Sequence, residues 1–286
     1  MSADHAMKDR KQADFALDSY LARIGLDTRP GADAGGLTRL QRAHRRTVPF
    51  ENLDIPLGRA ISLEPGAQFA KLVTARRGGY CFEHNPLFLR ALQALGFDAR
   101  LLLARVWLMA EDVPPRTHCL ILVMLDGAPW IADAGFGGSY SPPMLLREGE
   151  VVTAPDGTRH RLTIDPTHGW MLERAGDPAA TDGRAHDHDG WQPQYSFTLD
   201  RVEPVDLELS NHWTSTRPDT RFTTHRIASI ALEDGFASLF DGVLTVTRGG
   251  VAERRTLSDA DSYRETLQSL FGIALNPDEA ARIASL

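Results

Sequence analysis

Apolar residues recur at helical spacing in the first third of the chain, whereas in the middle third they alternate or run together as strands do. Past residues 1–10, which are expected to fray, Phe15, Leu17, Leu21 and Ile24 mark a helix that closes near Gly25. A second helix over 38–46 is weakly patterned and basic, with Arg39, Arg42, Arg45 and Arg46, and must break before Pro49. Residues 54–65 read as a loop, and 69–75 as a helical lead into a turn at Gly78-Gly79. Phe82, Leu87, Phe88, Leu92 and Leu95 then form one apolar face, and Pro86 is expected in the first turn of that helix, where a missing N–H costs little.

Short apolar or alternating runs follow at 100–109, 117–126, 130–134, 151–153, 159–164, 169–173 and 194–199. Turn signals such as Asp126-Gly127, Pro155-Asp156-Gly157 and Asp165-Pro166 separate them, so this part is an antiparallel barrel or curled sheet. Residues 174–193 lack periodicity and read as an exposed loop. Beyond 205 the pattern mixes: a helix at 207–214, strands at 222–231 and 243–248, a helix at 257–271 capped by Ser258, and a terminal helix from 277. An α+β chain of three units results: helical 1–97, β-barrel 98–204 and α/β 205–286.

Composition narrows the function. A chain of 286 residues, 42% hydrophobic and 24% charged, is ordinary for a globular protein with a sizeable core. A net charge of −7 argues against nucleic acid as a partner. Two cysteines, Cys81 and Cys119, do not make a disulfide framework. The polar first 18 residues do not resemble a secretory signal, and the longest apolar run, 119–125, has the length of a buried strand rather than a membrane span. The expectation is a cytoplasmic protein with free thiols and no membrane partner.

Cys81 is the candidate nucleophile. It sits where a Gly-rich turn enters a helix, and there the macrodipole favours a thiolate. A lone cysteine is more often a structural core residue, so the reading depends on a base and an orienting acceptor. Of the ten histidines, His118 has the most telling place, at the mouth of the most apolar strand. If that strand and 130–134 form a hairpin about Asp126-Gly127, Asp133 comes within one or two residues of His118 across the ladder. Cys119 then faces the opposite side as a small core residue. His84 is expected to support the turn rather than act as base, and His186 and His188 read as solvated surface, since no third ligand stands at metal spacing; no metal is expected. His44, His160, His168, His212 and His225 have no telling context.

These segments together resemble the arylamine N-acetyltransferase family over nearly the whole chain. The resemblance rests on Tyr20-Leu21-Ala22-Arg23-Ile24-Gly25, on Val48-Pro49-Phe50-Glu51-Asn52-Leu53, and on the nucleophile segment from Arg77 to Asn85. Thr117-His118, Asp133-Ala134-Gly135-Phe136-Gly137 and the run from Asn211 to Phe222 complete it. It implies a three-domain, cysteine-protease-like fold whose last unit is a lid, and a Cys81–His118–Asp133 triad. The implied reaction is ping-pong acetyl transfer from acetyl-coenzyme A to the nitrogen of arylamines, arylhydrazines or hydrazides, in xenobiotic metabolism, with O-acetylation of arylhydroxylamines alongside. The resemblance also places Phe50, Val106, Phe136, Tyr140 and Phe222 in the acceptor pocket, with Gly138 leaving it more open. Pro115, Arg116 and Thr117 are implied near the coenzyme phosphates, although the stretch lacks the glycines of a phosphate cradle. The alternative is an amide synthase or a cysteine hydrolase using the same triad; a non-catalytic binding module would be expected to have lost Cys, His or Asp, and all three are present. Oligomeric state stays open.

Overall fold

In the computed structural model, residues 15–185 and 190–286 are described; the expectations for residues 1–10, His5, His186 and His188 lie outside the described residues. Helices α1 (Leu17–Arg23), α2 (Ala34–Thr47), α3 (Pro65–Phe69) and α4 (Cys81–Ala94) occupy the N-terminal part, and α3 runs on as a π-helical turn, Ala70–Thr74. Helix α2 begins four residues before the expected start, because the Asp33 carboxylate accepts from Gly36 N at 2.7 Å and caps it there.

The β-rich part is an eight-stranded antiparallel sheet that curls into a nearly closed barrel. Numbering the two-residue strand Phe50–Glu51 as β1, its strands are β2 (Asp98–Val106), β3 (His118–Leu125), β4 (Ala128–Ala132), β5 (Met144–Leu145), β6 (Val151–Thr153), β7 (Arg159–Asp165), β8 (Gly169–Ala175) and β9 (Gln192–Phe197). Their order is β5-β4-β3-β2-β9-β8-β7-β6. After His118, strand β3 is apolar to its end because both of its faces are covered. Leu120 and Leu122 pack with Leu102, Leu162 and Tyr195, whereas Ile121 and Val123 pack under Leu37, Leu40 and Phe88 of the helices. The β3–β4 hairpin has the expected register, Ile121 opposite Ala132 and Leu125 opposite Ala128.

The C-terminal part holds α5 (Pro204–Thr216), α6 (Arg221–Thr224), strands β10 (Ile227–Ala231), β11 (Gly235–Phe240), β12 (Val243–Arg248) and β13 (Val251–Thr256), then α7 (Ala260–Phe271) and α8 (Pro277–Ser285). These strands form a second antiparallel sheet in the order β1-β10-β11-β12-β13, with Leu239, Leu244, Leu267, Phe271 and Ile283 in its core. Its first strand, β1, is borrowed from the helical part: Phe50 pairs with Ser229 and Glu51 with Ala228.

Several expectations are corrected. Residues 222–231 are not one strand. Thr220 N donates to Thr223 Oγ1 at 3.2 Å and starts the turn of α6, and the ladder begins only at Ile227. Helix α7 is capped by Asp259, whose Oδ1 accepts from Ser262 N at 2.8 Å, and not by Ser258. Pro86 lies inside α4 rather than in its first turn. The helix starts at Cys81, where Tyr80 N finds the Glu83 carboxylate at 3.2 Å. The carbonyl that Pro86 leaves free, that of Phe82, accepts from Gln68 Nε2 at 2.9 Å. No helix among the described residues is long and apolar enough to cross a membrane.

Candidate active site

Cys81 is the first residue of α4, with its backbone at the positive end of a fourteen-residue helix. The turn before it is held from both sides. Glu51 N donates to Gly79 O at 2.7 Å, and Gly79 N to Pro49 O at 3.3 Å. A Cβ on Gly78 would stand 2.3 Å from Pro49 O, so only glycine allows this approach. The segment Pro49-Phe50-Glu51-Asn52 thus lies between the nucleophile turn and β10. Glu51 accepts from Arg77 at 2.8 Å, and Asn52 Nδ2 donates to Phe222 O and His225 O at 2.9 and 2.7 Å.

His118 opens β3, and its Nε2 donates to Asp133 Oδ2 at 2.7 Å with both side chains buried. Asp133 follows the last residue of β4 and lies just beyond the ladder, as the hairpin geometry requires. Its other oxygen accepts from Asn85 Nδ2 at 3.0 Å and Gly135 N at 2.9 Å, and its backbone N donates to Gln41 Oε1 at 2.8 Å. Buried Arg45 donates to Phe136 O at 2.8 Å and fixes the loop after Asp133.

Cys81, His118 and Asp133 therefore meet although they come from two different parts of the chain. Burial acts to raise the Cys81 thiol, but hydrogen bonds from Cys119 and His118 and the imidazolium charge outweigh it and bring the pKa to about 6. Burial alone would lower His118; the Asp133 charge and hydrogen bond and the Cys81 thiolate together raise it to about 10. Asp133 stays below the usual carboxylate range, because His118, Asn85 and Gly135 N overcome the burial that would raise it. Both shifts favour a thiolate–imidazolium pair over a neutral one. Nε2 is taken by Asp133, so Nδ1 is the nitrogen left for Cys81.

Three contributors were not legible beforehand. Cys119, expected only as core filler, donates its thiol to Cys81 O at 3.3 Å, and its nearness acts to lower the Cys81 thiol. Asn85 bridges the nucleophile helix to Asp133; the only sequence sign of it was its place in the segment beginning at Arg77. His44, without telling context in sequence, belongs to a buried chain. Tyr20 Oη lies 2.8 Å from His44 Nδ1, His44 Nε2 lies 2.8 Å from His84 Nδ1, and His84 Nε2 lies 3.0 Å from Pro49 O. Since a carbonyl only accepts, His84 Nε2 carries a proton, and each tautomer up the chain to the Tyr20 hydroxyl is then fixed with both rings neutral. Burial agrees, pushing His84 down to about 3. His84 thus supports the turn.

Cys81 and His118 lie on a cavity of about 620 Å³ walled by Phe50, Val106, Phe136 and Phe222, with Pro115 and Thr117 beside them. The Phe222 ring packs 5.9 Å from Phe50 and 5.7 Å from Tyr80. Tyr140 does not line this cavity; it is buried with Ala154 and Ala231. Arg116 does not line it either, and its guanidinium lies 3.7 Å from Asp200. Gly138 abuts the Phe136 ring, where a Cβ would stand 2.8 Å from Cε1.

A helix-borne cysteine thus lies beside a barrel-borne His–Asp pair on one cavity. A family model described as N-acetyltransferase matches residues 33–280. The arylamine N-acetyltransferase of Mycolicibacterium smegmatis is 37% identical over 281 residues, 94% of this chain and 98% of the relative. The solved arylamine N-acetyltransferase of Salmonella typhimurium is similar with a TM-score of 0.85 and 34% identity, covering 94% of this chain and 98% of that one. The Mycobacterium marinum arylamine N-acetyltransferase in complex with CoA gives 0.83 and 32% over 94% and 98%. The chain belongs to the arylamine N-acetyltransferase family and is an acyltransferase.

Proposed function

We propose that the protein transfers the acetyl group of acetyl-coenzyme A to the nitrogen of arylamines, arylhydrazines or hydrazides through an acetyl-Cys81 intermediate. The observation that carries this reading is the Cys81 thiol beside His118, itself 2.7 Å from Asp133, on the floor of an aromatic-walled cavity. The thiolate attacks the thioester carbonyl, the carbon–sulfur bond of the donor breaks, and His118 gives its proton to the departing coenzyme thiolate. Acetylation removes the thiolate that helps to hold His118 cationic. The neutral imidazole then accepts a proton from the attacking amine, and Cys81 leaves as thiolate. Asp133 fixes the ring throughout. Backbone N–H groups at the start of α4 can hold the oxyanion, worth about 3 kcal/mol per donor in related chemistry. Flat aromatic acceptors suit walls of Phe50, Phe136 and Phe222, and arylamines are largely unprotonated at neutral pH.

The name and CoA complex of the M. marinum relative support the donor. We propose the units 1–97, 98–204 and 205–286 as helical domain, barrel and lid, and a reducing cytoplasm as the setting for the free thiols. Incubation with acetyl-coenzyme A alone tests the mechanism: intact mass should rise by one acetyl group, and Cys81→Ala should remove the gain. An unmodified wild-type mass refutes the acetyl-enzyme. Release of acetate at the same rate with and without amine makes the protein a hydrolase instead.

A further inference from the structure

The protein is acidic overall, yet the wall of the cavity that holds Cys81 carries Arg184, Arg217 and Arg221. We infer that these three side chains form an anion subsite in the cleft, built for the phosphate or carboxylate group of a substrate.

Their partners do not balance their charge. Arg184 Nη2 and Arg221 Nη2 reach the same oxygen of Asp182, at 2.7 and 3.1 Å, so one buried carboxylate serves two guanidiniums. Arg221 lies over the Phe240 ring at 4.8 Å, and its buried Nε has no hydrogen-bond partner among the described residues. Arg217 stacks on Trp213 at 4.1 Å and meets no carboxylate among the described residues. Asp219, on the turn between Arg217 and Arg221, is the acidic residue of the lining among the described residues. His225 also lines the cavity, but its Nδ1 is engaged by Asp241, which Arg226 shares. Asp241 also acts on Arg221; with Arg226 counted, four guanidiniums against the carboxylates of Asp182, Asp219 and Asp241 leave one positive charge in excess among the described residues. Burial and the neighbouring Arg184 lower Arg221 to about 10, the direction expected where positive charge is crowded.

The subsite opens on the reacting cavity, with Arg184 and Arg221 largely buried in its wall and exposed Arg217 at its mouth. Arg221 directly precedes Phe222, whose ring packs against Tyr80, the residue before Cys81. The Arg184 and Arg221 side chains are 15% and 22% exposed, against 39% for Arg116 outside the lining. Planar guanidiniums pre-set by a shared aspartate and two aromatic faces match the oxygen spacing of phosphate and carboxylate. Both groups fit the chemistry: the phosphates of an acetyl-coenzyme A donor, or the ring carboxylate of an aminobenzoate acceptor.

This inference rests on the ping-pong reading, which allows the two half-reactions to be measured separately. In Arg217→Gln and Arg221→Met, the donor ratio is kcat/KM for acetyl-coenzyme A over that for neutral 4-nitrophenyl acetate. The acceptor ratio, with 4-nitrophenyl acetate as donor, is kcat/KM for 4-aminobenzoate over that for neutral 4-aminobenzamide. Loss of one charge-assisted contact should lower one ratio about tenfold or more. A fall in the donor ratio assigns the subsite to phosphate, and a fall in the acceptor ratio assigns it to carboxylate. Both ratios within about twofold of wild type in both variants overturn the subsite. If Arg221→Met does not fold, Arg217→Gln decides alone, because its exposed guanidinium stacks on Trp213 and forms no ion pair among the described residues. A wild-type protein that neither donor acetylates refutes the ping-pong reading instead, before any variant is compared.

Discussion

Asn85 donates to Asp133 at 3.0 Å, so the helix that begins with Cys81 also holds the carboxylate that orients His118. The same amide reaches Cys119 O at 2.6 Å, and its oxygen accepts from Ala134 N at 2.9 Å. Asn85→Ala would leave a buried carboxylate oxygen and a buried N–H short of partners, at about 1–3 kcal/mol each. We expect a loss of roughly 3 kcal/mol in urea unfolding, together with reduced turnover. Wild-type stability in this variant would show that the bridge contributes nothing.

Asp133→Asn keeps the shape but removes the charge that holds His118 cationic, and an amide nitrogen facing Nε2 would select the opposite tautomer. In comparable triads such a change costs about 10⁴ in kcat. Steady-state turnover should therefore fall by orders of magnitude; near-normal turnover removes Asp133 from the mechanism.

The ionisation of Cys81 can be followed directly by its rate of alkylation with iodoacetamide against pH. The thiolate is held down to about 6, so the rate should be half-maximal near there rather than in the ordinary thiol range. His118 stays cationic to about 10, so the ion pair spans the interval between. Cys119→Ala removes a side chain that acts to lower the Cys81 thiol and should move the midpoint upward, whereas Cys119→Ser keeps a polar hydrogen there and should move it less. An unmoved midpoint in Cys119→Ala would return Cys119 to a packing role.

Gly135 is where the loop after Asp133 crosses the start of α4. A Cβ there would stand 2.9 Å from Cys81 Cα and 2.8 Å from Asn85 Nδ2. The first contact is backbone, which cannot swing aside, so Gly135→Ala must push the Cys81 helix from the barrel. Alkylation of Cys81 should lose its low-pH midpoint as His118 and Cys81 separate. An unchanged alkylation profile would mean that the loop yields elsewhere.

Much of this arrangement was legible because it follows from local pattern. The hairpin about Asp126-Gly127 fixed the register that delivers Asp133 to His118, and the Gly-rich turn placed Cys81 at a helix start. Elements governed by distant partners were not legible. Strand β13 is exposed along its whole length and has no apolar face to read. Phe222 looks like a strand residue, yet Asn52, 170 positions earlier, takes its carbonyl and holds it in a turn. Pro86 reads as a helix start until Gln68 is seen to satisfy the carbonyl it orphans. The roles of Cys119, Asn85 and His44 depend on which side chains meet across two parts of the chain, and no single stretch encodes that.

Strand β1 has a mechanical consequence. It is hydrogen-bonded to β10 on one side and to the Gly79 turn beside Cys81 on the other. The C-terminal sheet cannot swing outward without tearing its own edge or dragging the nucleophile with it. The residues of the C-terminal part that line the cleft, from Trp213 to His225, directly precede this anchored sheet. The same short strand is thus a strut between the nucleophile turn and the C-terminal sheet, so a load on one is passed to the other.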